Sequence, residues 1–241
     1  MLMTFDDIIE FRRSNRKFEP QIPVPAEVME KALKHASLAP NSSNMQLWEF
    51  HWIGSDQIKE QVIKGCLNQS AARTAQEMVV FVTRRDLWRK RVAWHKSLID
   101  QDEERLGKGL KSIKMRRLYY QKLMPISYIN DGLGIFGLYR RLLSFSIGLF
   151  RPIYRAAGHA QQRITVHKSC ALAAENFMLS MASQDFHTCP MEGFDAKRIK
   201  KILKLPRGAE INMIISCGKG TDSGFWGPRR RVPMDQVVIK H

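Results

Sequence analysis

Leu38-Ala39-Pro40-Asn41-Ser42-Ser43-Asn44-Met45-Gln46-Leu47-Trp48-Glu49-Phe50 holds the change of local structure on which the fold reading turns. Upstream, Pro25 suits the first turn of a helix in which Val28, Ala32, Leu33 and Ala36 share one face. Residues 39–44 read as a loop, because Pro, Asn and Ser redirect the backbone or bond to it locally. From 48 to 53 the chain reads as a strand.

Helices and strands interleave in the same way elsewhere. Thr4 is placed to cap a helix over 5–12, with Asp6 and Asp7 favourable in its first turn. A short helix over 56–65 precedes a buried strand over 78–83. Residues 166–184 predict a helix with a wide apolar face of Ala171, Leu172, Ala174, Phe177, Met178 and Met181. Asp195 can cap a helix running to 203, ended by Pro206 and Gly208, and 211–217 predicts an inner strand. The strands are few and irregularly spaced. The expected class is therefore α+β, or a mixed α/β sandwich, rather than a doubly wound sheet.

The chain carries 39 Lys+Arg against 23 Asp+Glu over 241 residues, a formal charge of +16, with 44% hydrophobic residues, enough for a filled core. The charge is concentrated. Residues 84–163 contain 18 Lys/Arg and 6 Asp/Glu, a net of +12, and the other 161 residues a net of only +4. Such a block suits a phosphate-binding face, an anionic membrane surface or an acidic partner; for 84–122 a solvated helical face is an equal alternative. Nucleic acid is a poor match, since no recognition motif or stacking platform accompanies the charge. Residues 1–13 carry Asp6, Asp7 and Glu10 and no apolar run, so no signal peptide is visible and the expected location is the cytoplasm.

Within the block, 132–150 is nearly free of polar residues. Arg140 and Arg141 lie at its centre and would each cost about 2.5–3.5 kcal/mol on insertion scales, which argues against a membrane span. On a helix, Gly137, Arg140, Arg141, Ser144, Gly148 and Arg151 fall on one narrow face. Leu133, Phe136, Leu142, Leu143, Phe145 and Leu149 cover much of the rest. Two readings stay open: a helix packed in the protein, in a dimer or across a pocket, and peripheral membrane contact through 132–151 with a basic polar face.

No Gly-rich phosphate loop and no G-x-S-x-G elbow is present, and the seven histidines lack metal-ligand spacing. Cys66, Cys170, Cys189 and Cys217 lie far apart, with neither a disulfide framework nor a zinc-ribbon pattern. Four polar clusters remain. Arg12-Arg13-Ser14-Asn15-Arg16 suits an anion, a phosphate above all. The Asn/Ser loop at 41–46 offers neutral hydrogen bonds to a planar polar ring. Pro190-Met191-Glu192-Gly193-Phe194-Asp195 places Gly193 where backbone can approach closely before a helix start. Arg229-Arg230-Arg231 is a second anion grip.

In this order the clusters resemble the signatures of the FMN-dependent nitroreductase family. "RRSNRKF" is similar to its Arg-x-Ser-x-Lys/Arg-x-Phe motif, and "LAPNSSNMQLWEF" to its Ala-Pro-Ser-Ser-x-Asn-x-Gln-Pro-Trp-x-Phe loop and strand. "CPMEGFD" resembles its Pro-Ile/Met-Glu-Gly-Phe-Asp turn, and "PRRRVPMDQVV" its closing basic segment. The resemblance covers roughly 1–83 and 164–241. It implies a single domain over 1–241 with a mixed β-sheet sandwiched by helices, and an intertwined homodimer with FMN at the interface. It implies that Arg12 and Arg231 hold the FMN phosphate with Arg13 and Arg229 near, that Ser14 bonds the ribityl or phosphate region, and that Arg16 faces N1/O2 of the ring. Asn68 would meet the pyrimidine edge, and Asn41, Ser42 and Asn44 the flavin of the opposite subunit. Pro190 and Met191 would pack on the ring, with the amides of Glu192 and Gly193 near N5. The implied reaction takes hydride from NADH or NADPH and reduces a nitroaromatic, quinone or related small-molecule acceptor; a membrane-surface flavoprotein and a basic module without turnover are the alternatives. This sequence departs from the pattern at Leu47, where Pro is usual, at Asn41 for Ser, and at Ala71, where Lys is frequent. The basic block 84–163 stands where the family builds its substrate-pocket helices, and reads as an internal insertion forming a pocket cover or membrane-facing helices.

Overall fold

A reciprocal capping box starts the first helix. In the computed structural model, which describes residues 3–129, 134–155 and 158–241, Thr4 Oγ1 accepts from the Asp7 amide at 3.2 Å and the Asp7 carboxylate accepts from the Thr4 amide at 2.8 Å. Helix α1 (Phe5–Phe11) follows, then α2 (Ala26–Ser37), entered through Pro25. The Asn/Ser loop contains a single 3-10 turn, Ser42–Asn44, and leads into β1 (Trp48–Trp52). Helices α3 (Asp56–Gly65) and α4 (Ser70–Thr74) precede β2 (Glu77–Thr83). The basic block folds as α5 (Trp88–Leu106), α6 (Lys111–Leu118), a π-helical turn at Tyr119–Leu123, α7 (Met124–Tyr128) and α8 (Ile135–Ile147). Then come α9 (His159–Ala182), β3 (His187–Met191), α10 (Ala196–Ile202), β4 (Glu210–Gly218) and a last turn, α11 (Met234–Val237).

The four strands form one sheet in the order β1-β2-β4-β3, antiparallel at each pairing. Two isolated bridges lie outside these strands, Ser14 with Thr188 in parallel and Phe18 with Gly220 antiparallel. Strand β2 explains the layering. Its apolar run alternates, so Met78, Val80 and Val82 point into a core with Val62, Ile199 and Ile214, while Val79 and Phe81 point into another with Met29, Phe177 and Met181. Helices α3 and α10 cover the first face and α2 and α9 the second, giving the α+β sandwich. Both cores hold fully buried side chains, each stabilising the fold by about 1.5–3 kcal/mol on burial.

Some expectations are refined. Strand β3 is not expected from sequence because Pro190 lies within it; the strand is at the sheet edge, where a residue without an N–H is tolerated. Helix α9 begins seven residues earlier than 166, at His159, because its first two turns are polar and carry no apolar period. Leu172 points outward, 48% exposed, while Cys170 and Ala173 take the buried stripe. The stretch 84–122 is more than a solvated face. Val92, His95, Ile99 and Ile113 are buried, and α5 is tied to α6 by exposed ion pairs, Arg117 with Asp100 at 2.6 Å and with Glu103 at 2.7 Å. Surface pairs of this kind contribute little singly, because water and salt screen them.

Helix α8 departs furthest. Gly132 and Leu133, at the start of the expected helix, lie outside the described residues. Among the described residues no helix is long and apolar enough to cross a membrane. Of the narrow face, Gly137, Arg140 and Ser144 are buried against the protein, while Arg141 and Arg151 are exposed. The Arg140 guanidinium caps the end of α7, its Nη1 donating to the carbonyls of Ile126 at 3.0 Å and Ile129 at 2.8 Å. Charged hydrogen bonds contribute about 1.5–3 kcal/mol each. Arg140→Ala is therefore expected to speed amide exchange across 135–147 by about tenfold or more while the sheet stays protected. Exchange unchanged in α8 would show that its anchor lies elsewhere.

Candidate functional site

The site grows from the end of α1. After Phe11 the chain extends, and Asn15 fixes it in place. Asn15 is fully buried; its backbone amide donates to Thr188 O at 3.1 Å, its Nδ2 to Thr221 O at 2.8 Å, and its Oδ1 accepts from the Lys17 amide at 3.0 Å. Gly220 and Gly224 face it so closely that an added Cβ would stand 2.4 Å from Asn15 Nδ2 and 1.9 Å from its Oδ1. Neither position tolerates a side chain. The flanking arginines inherit this placement. Arg13 donates to Gly227 O at 2.6 Å and stacks on Phe225 at 4.6 Å from the ring centroid. Arg16 stacks on Trp226 at 4.0 Å, and that indole is 78% exposed. Arg12 is half-buried, with Nε 4.0 Å from Glu175.

The second basic cluster folds back onto the first. Arg229 donates to the carbonyls of Ile9 at 3.2 Å, Glu10 at 2.6 Å and Arg12 at 3.1 Å. Its donors thus cap the C-terminal end of α1, so its role here is to clamp the tail beside Arg12. Arg231 is exposed and donates to Arg230 O at 2.8 Å.

Two further segments join the same site. Ser14 bridges Thr188 on β3, the strand that carries Pro190 and the buried Met191. Glu192 and Gly193 follow, exposed at the end of that edge strand. Leu67 and Asn68 both take left-handed backbone, φ 58° and 53°. Gln69 Nε2 then donates to Cys66 O at 3.0 Å and to Gly193 O at 2.5 Å, and Ser70 Oγ donates to Arg16 O at 2.7 Å. Residues 12–16, 66–70, 188–193 and 225–231 thus form one continuous group. Gln69 and Asn15 brace this group, which sequence reasoning misses; both stand inside or beside the motifs, but their bonds are internal and carry no chemical signature.

The Asn/Ser loop belongs to a second group. Ser43, Asn44 and Gln46 have φ of 56°, 48° and 47°, a strained run for residues other than glycine. Side chains hold it there. Asn41 Oδ1 accepts from the Gln46 amide at 2.8 Å, and the Ser42 amide donates to Ser169 Oγ on α9 at 3.2 Å. The basic block supplies the rest: Tyr119 OH lies 2.6 Å from Ser43 Oγ, Tyr120 OH donates to Ser43 O at 2.9 Å, and His95 Nε2 lies 2.8 Å from Asn44 O. The His95 ring stacks on Tyr120 at 3.9 Å. Behind the loop is a cavity of about 330 Å³ lined by Ser42, Ser43, Tyr119, Tyr128, Arg140 and Gln162. Gln162 Oε1 is buried beside it with no hydrogen-bond partner among the described residues. Burial pushes the Tyr128 phenol up to about 12 and raises Tyr120, so both remain hydrogen-bond donors rather than bases. The four cysteines are free and buried, with Cys66 pushed up to about 11 and Cys170 to about 12, which keeps them as thiols.

A family model for the Nitroreductase family matches residues 9–219, a span that runs through the whole basic block. The chain belongs to that family. Protein DrgA of Synechocystis is 26% identical over 98% of this chain and 94% of its own length. A nitroreductase-fold protein from Exiguobacterium sibiricum, solved in complex with FMN, superposes with a TM-score of 0.69 at 21% identity, over 99% of this chain and 98% of its own. The NADPH:FMN oxidoreductase of Vibrio harveyi, complexed with NAD+, gives 0.62 at 15% identity, over 98% of this chain and 76% of that one. At these identities the structural likeness establishes a shared nitroreductase fold.

Two outcomes follow from this geometry. Asn15→Ala leaves a buried carbonyl and amide without partners and is expected to lower stability by about 1–3 kcal/mol in urea denaturation; an unchanged midpoint would remove Asn15 from its pivotal place. His187 lies between Phe11 and Phe225, with Nδ1 accepting from the Gly220 amide. Burial, then Lys219, lowers its pKa below the ordinary 6.5, with Asp185 opposing; burial lowers His95 likewise. The unfolded chain then takes up protons that the folded one refuses. The contribution is fully present above pH 6.5 and is lost as pH falls through the lower folded value. The thermal midpoint should fall as pH drops below about 6.5, less steeply in His187→Gln; a midpoint rising on acidification would contradict the assignment.

Proposed function

We propose that this nitroreductase-family protein is an FMN-dependent oxidoreductase using NADH or NADPH to reduce small acceptors such as nitroaromatics and quinones in two alternating half-reactions. One observation carries the reading: segments 12–16, 66–70, 188–193 and 225–231, distant in sequence, converge at the end of α1 and the edge of β3, with cations at one end and exposed backbone at the other. The residues suit FMN. Arg12, Arg13 and Arg231 supply positive charge for a phosphate, with Ser14 beside them. An added Cβ on Gly193 would meet only Gln69 Nε2, at 3.6 Å, an ordinary contact, so the chain's own packing does not demand glycine there. A planar ring approaching the Glu192 and Gly193 amides would demand it.

Bound FMN would supply the centre that accepts hydride from the nicotinamide and passes it to the acceptor. The chain's part is binding and electrostatics. Arg16, held by Trp226 and the Ser70 bond, would place its charge at N1/O2, and Asn68 would meet the pyrimidine edge. Pro190 and Met191 would form the wall on which the ring rests. Asn41, Ser42 and Asn44 belong to the second group, and in this reading they complete the site of a partner subunit in an intertwined homodimer. Residues 84–163 act as the pocket cover, since Tyr119, Tyr120 and His95 fix the Asn/Ser loop and Tyr128 and Arg140 line the cavity behind it. The protein would work in the cytoplasm, where reduced nicotinamides are supplied.

Purified protein is expected to be yellow and to retain FMN through dialysis. Arg12→Ala should weaken FMN by about 10–100-fold, the worth of one charge-assisted contact, measured by flavin fluorescence on titration. Protein that takes up no FMN on reconstitution sinks the proposal. An Arg12→Ala variant binding as tightly as the wild type removes the phosphate assignment.

A further inference from the structure

Helix α8 carries its amphipathicity the wrong way round for a protein bathed only in water. Its small and polar stripe packs inward. Ile135, Leu138, Leu142, Phe145, Leu149 and Phe150 lie outward, each between 57% and 89% exposed. Scattered exposed apolar residues are ordinary; six on one helix and its C-terminal turn form a surface. Leu123 and Tyr154, at the mouth of the 330 Å³ cavity, are 48% and 66% exposed and extend it.

Charge selects the partner. Between 132 and 174 there is no Asp or Glu. Arg141, Arg151 and Arg155 are exposed around the apolar face, and Arg155 closes a groove of about 440 Å³ with Leu138, Arg141, Leu142 and Phe145. Arg155 donates to Gly148 O, a neutral partner that leaves its charge uncompensated. A second copy meeting this face through a two-fold axis would bring these arginines against their own counterparts, with no acid in the face to answer them. A bilayer with acidic headgroups answers both features, taking the side chains into its interface and the guanidinium groups at the phosphates. No helix among the described residues is long and apolar enough to cross a membrane, and Arg140 ties α8 to the end of α7.

We propose that α8 and the turn after it, residues 135–155, dock this protein on an anionic membrane surface, with the cavity behind Arg140 opening beside the lipid. Docked in this way, the polar stripe of α8 faces the protein and the apolar face the lipid, the reverse of a helix lying alone in the interface.

The test is co-sedimentation of the full-length protein with vesicles of phosphatidylcholine alone or with phosphatidylserine added, at low and high salt. At low salt the anionic vesicles should bind at least tenfold more protein than the neutral ones, and about 0.5 M salt should release most of it. Leu142→Gln with Phe145→Gln alters only outward side chains and should cut vesicle binding about tenfold with an unchanged thermal midpoint. Arg151→Gln with Arg155→Gln should lower anionic binding and flatten its salt dependence. Wild type that stays in solution with anionic vesicles at low salt overturns the proposal, as does equal binding to neutral ones. So does a Leu142→Gln, Phe145→Gln protein of halved mass in light scattering with vesicle binding intact, for then a second copy covers α8. Vesicle binding is read without flavin, so a colourless protein that still sediments defeats the FMN reading and leaves this one standing.

Discussion

The buried amide of Asn15 is the contact on which the candidate site rests. Backbone that runs extended between two other segments has no helix to fix its direction, and the arginines it carries could otherwise point anywhere. Three hydrogen bonds from one residue tie this arm to Thr188 on one side and Thr221 on the other. The opposing glycines leave it no alternative rotamer, since their missing side chains are the space it fills. From that fixed point Arg13 reaches the 225–227 turn and Arg16 its indole, while Arg229 returns to the carbonyls around Arg12. Backbone carbonyls, aromatic faces and the Glu175 carboxylate beside Arg12 together hold these guanidinium groups in place.

What could be read from the sequence follows from where the information is stored. Helices α1, α2, α3 and α10 are legible because caps and apolar periods are local properties, visible in Thr4, Pro25, Asp56 and Asp195. Strand β2 is legible because a strand buried on both faces must be apolar throughout. Strand β3 is not, since its proline argues against a strand and only its edge position in the sheet removes the objection. The motif residues of the site were visible, but the distinction between binding and bracing was not. Arg229 and Arg231 look alike in "PRRRVP"; one turns out to cap α1 and the other to be exposed. Gln69 and Tyr120 hold the site together through single hydrogen bonds to backbone, a role any residue with a donor of the right reach could fill.

The basic block shows how composition misleads about orientation. A helix with a narrow polar face and a broad apolar one is ordinarily placed polar side out, because burial of apolar area is the largest force driving the chain to fold. Here Arg140 has something better than water. The carbonyls at the end of α7 are orphaned acceptors at the negative end of a helix dipole, and a guanidinium satisfies two of them together. Gly137 on the same stripe lies against the start of α9, where an added Cβ would stand 3.5 Å from the His159 amide nitrogen. Once that stripe is committed inward, the apolar remainder has nowhere to go but out.

The same choice couples the block to the chemistry. Arg140 lines the cavity behind the Asn/Ser loop, and the loop's left-handed residues are held by Tyr119, Tyr120 and His95 from the neighbouring turns. Strain in Ser43, Asn44 and Gln46 costs about 1 kcal/mol or more per residue and persists only where such contacts outweigh it. The +16 that first suggests a polyanion divides between arginines braced around Asn15 and arginines set around an apolar helix.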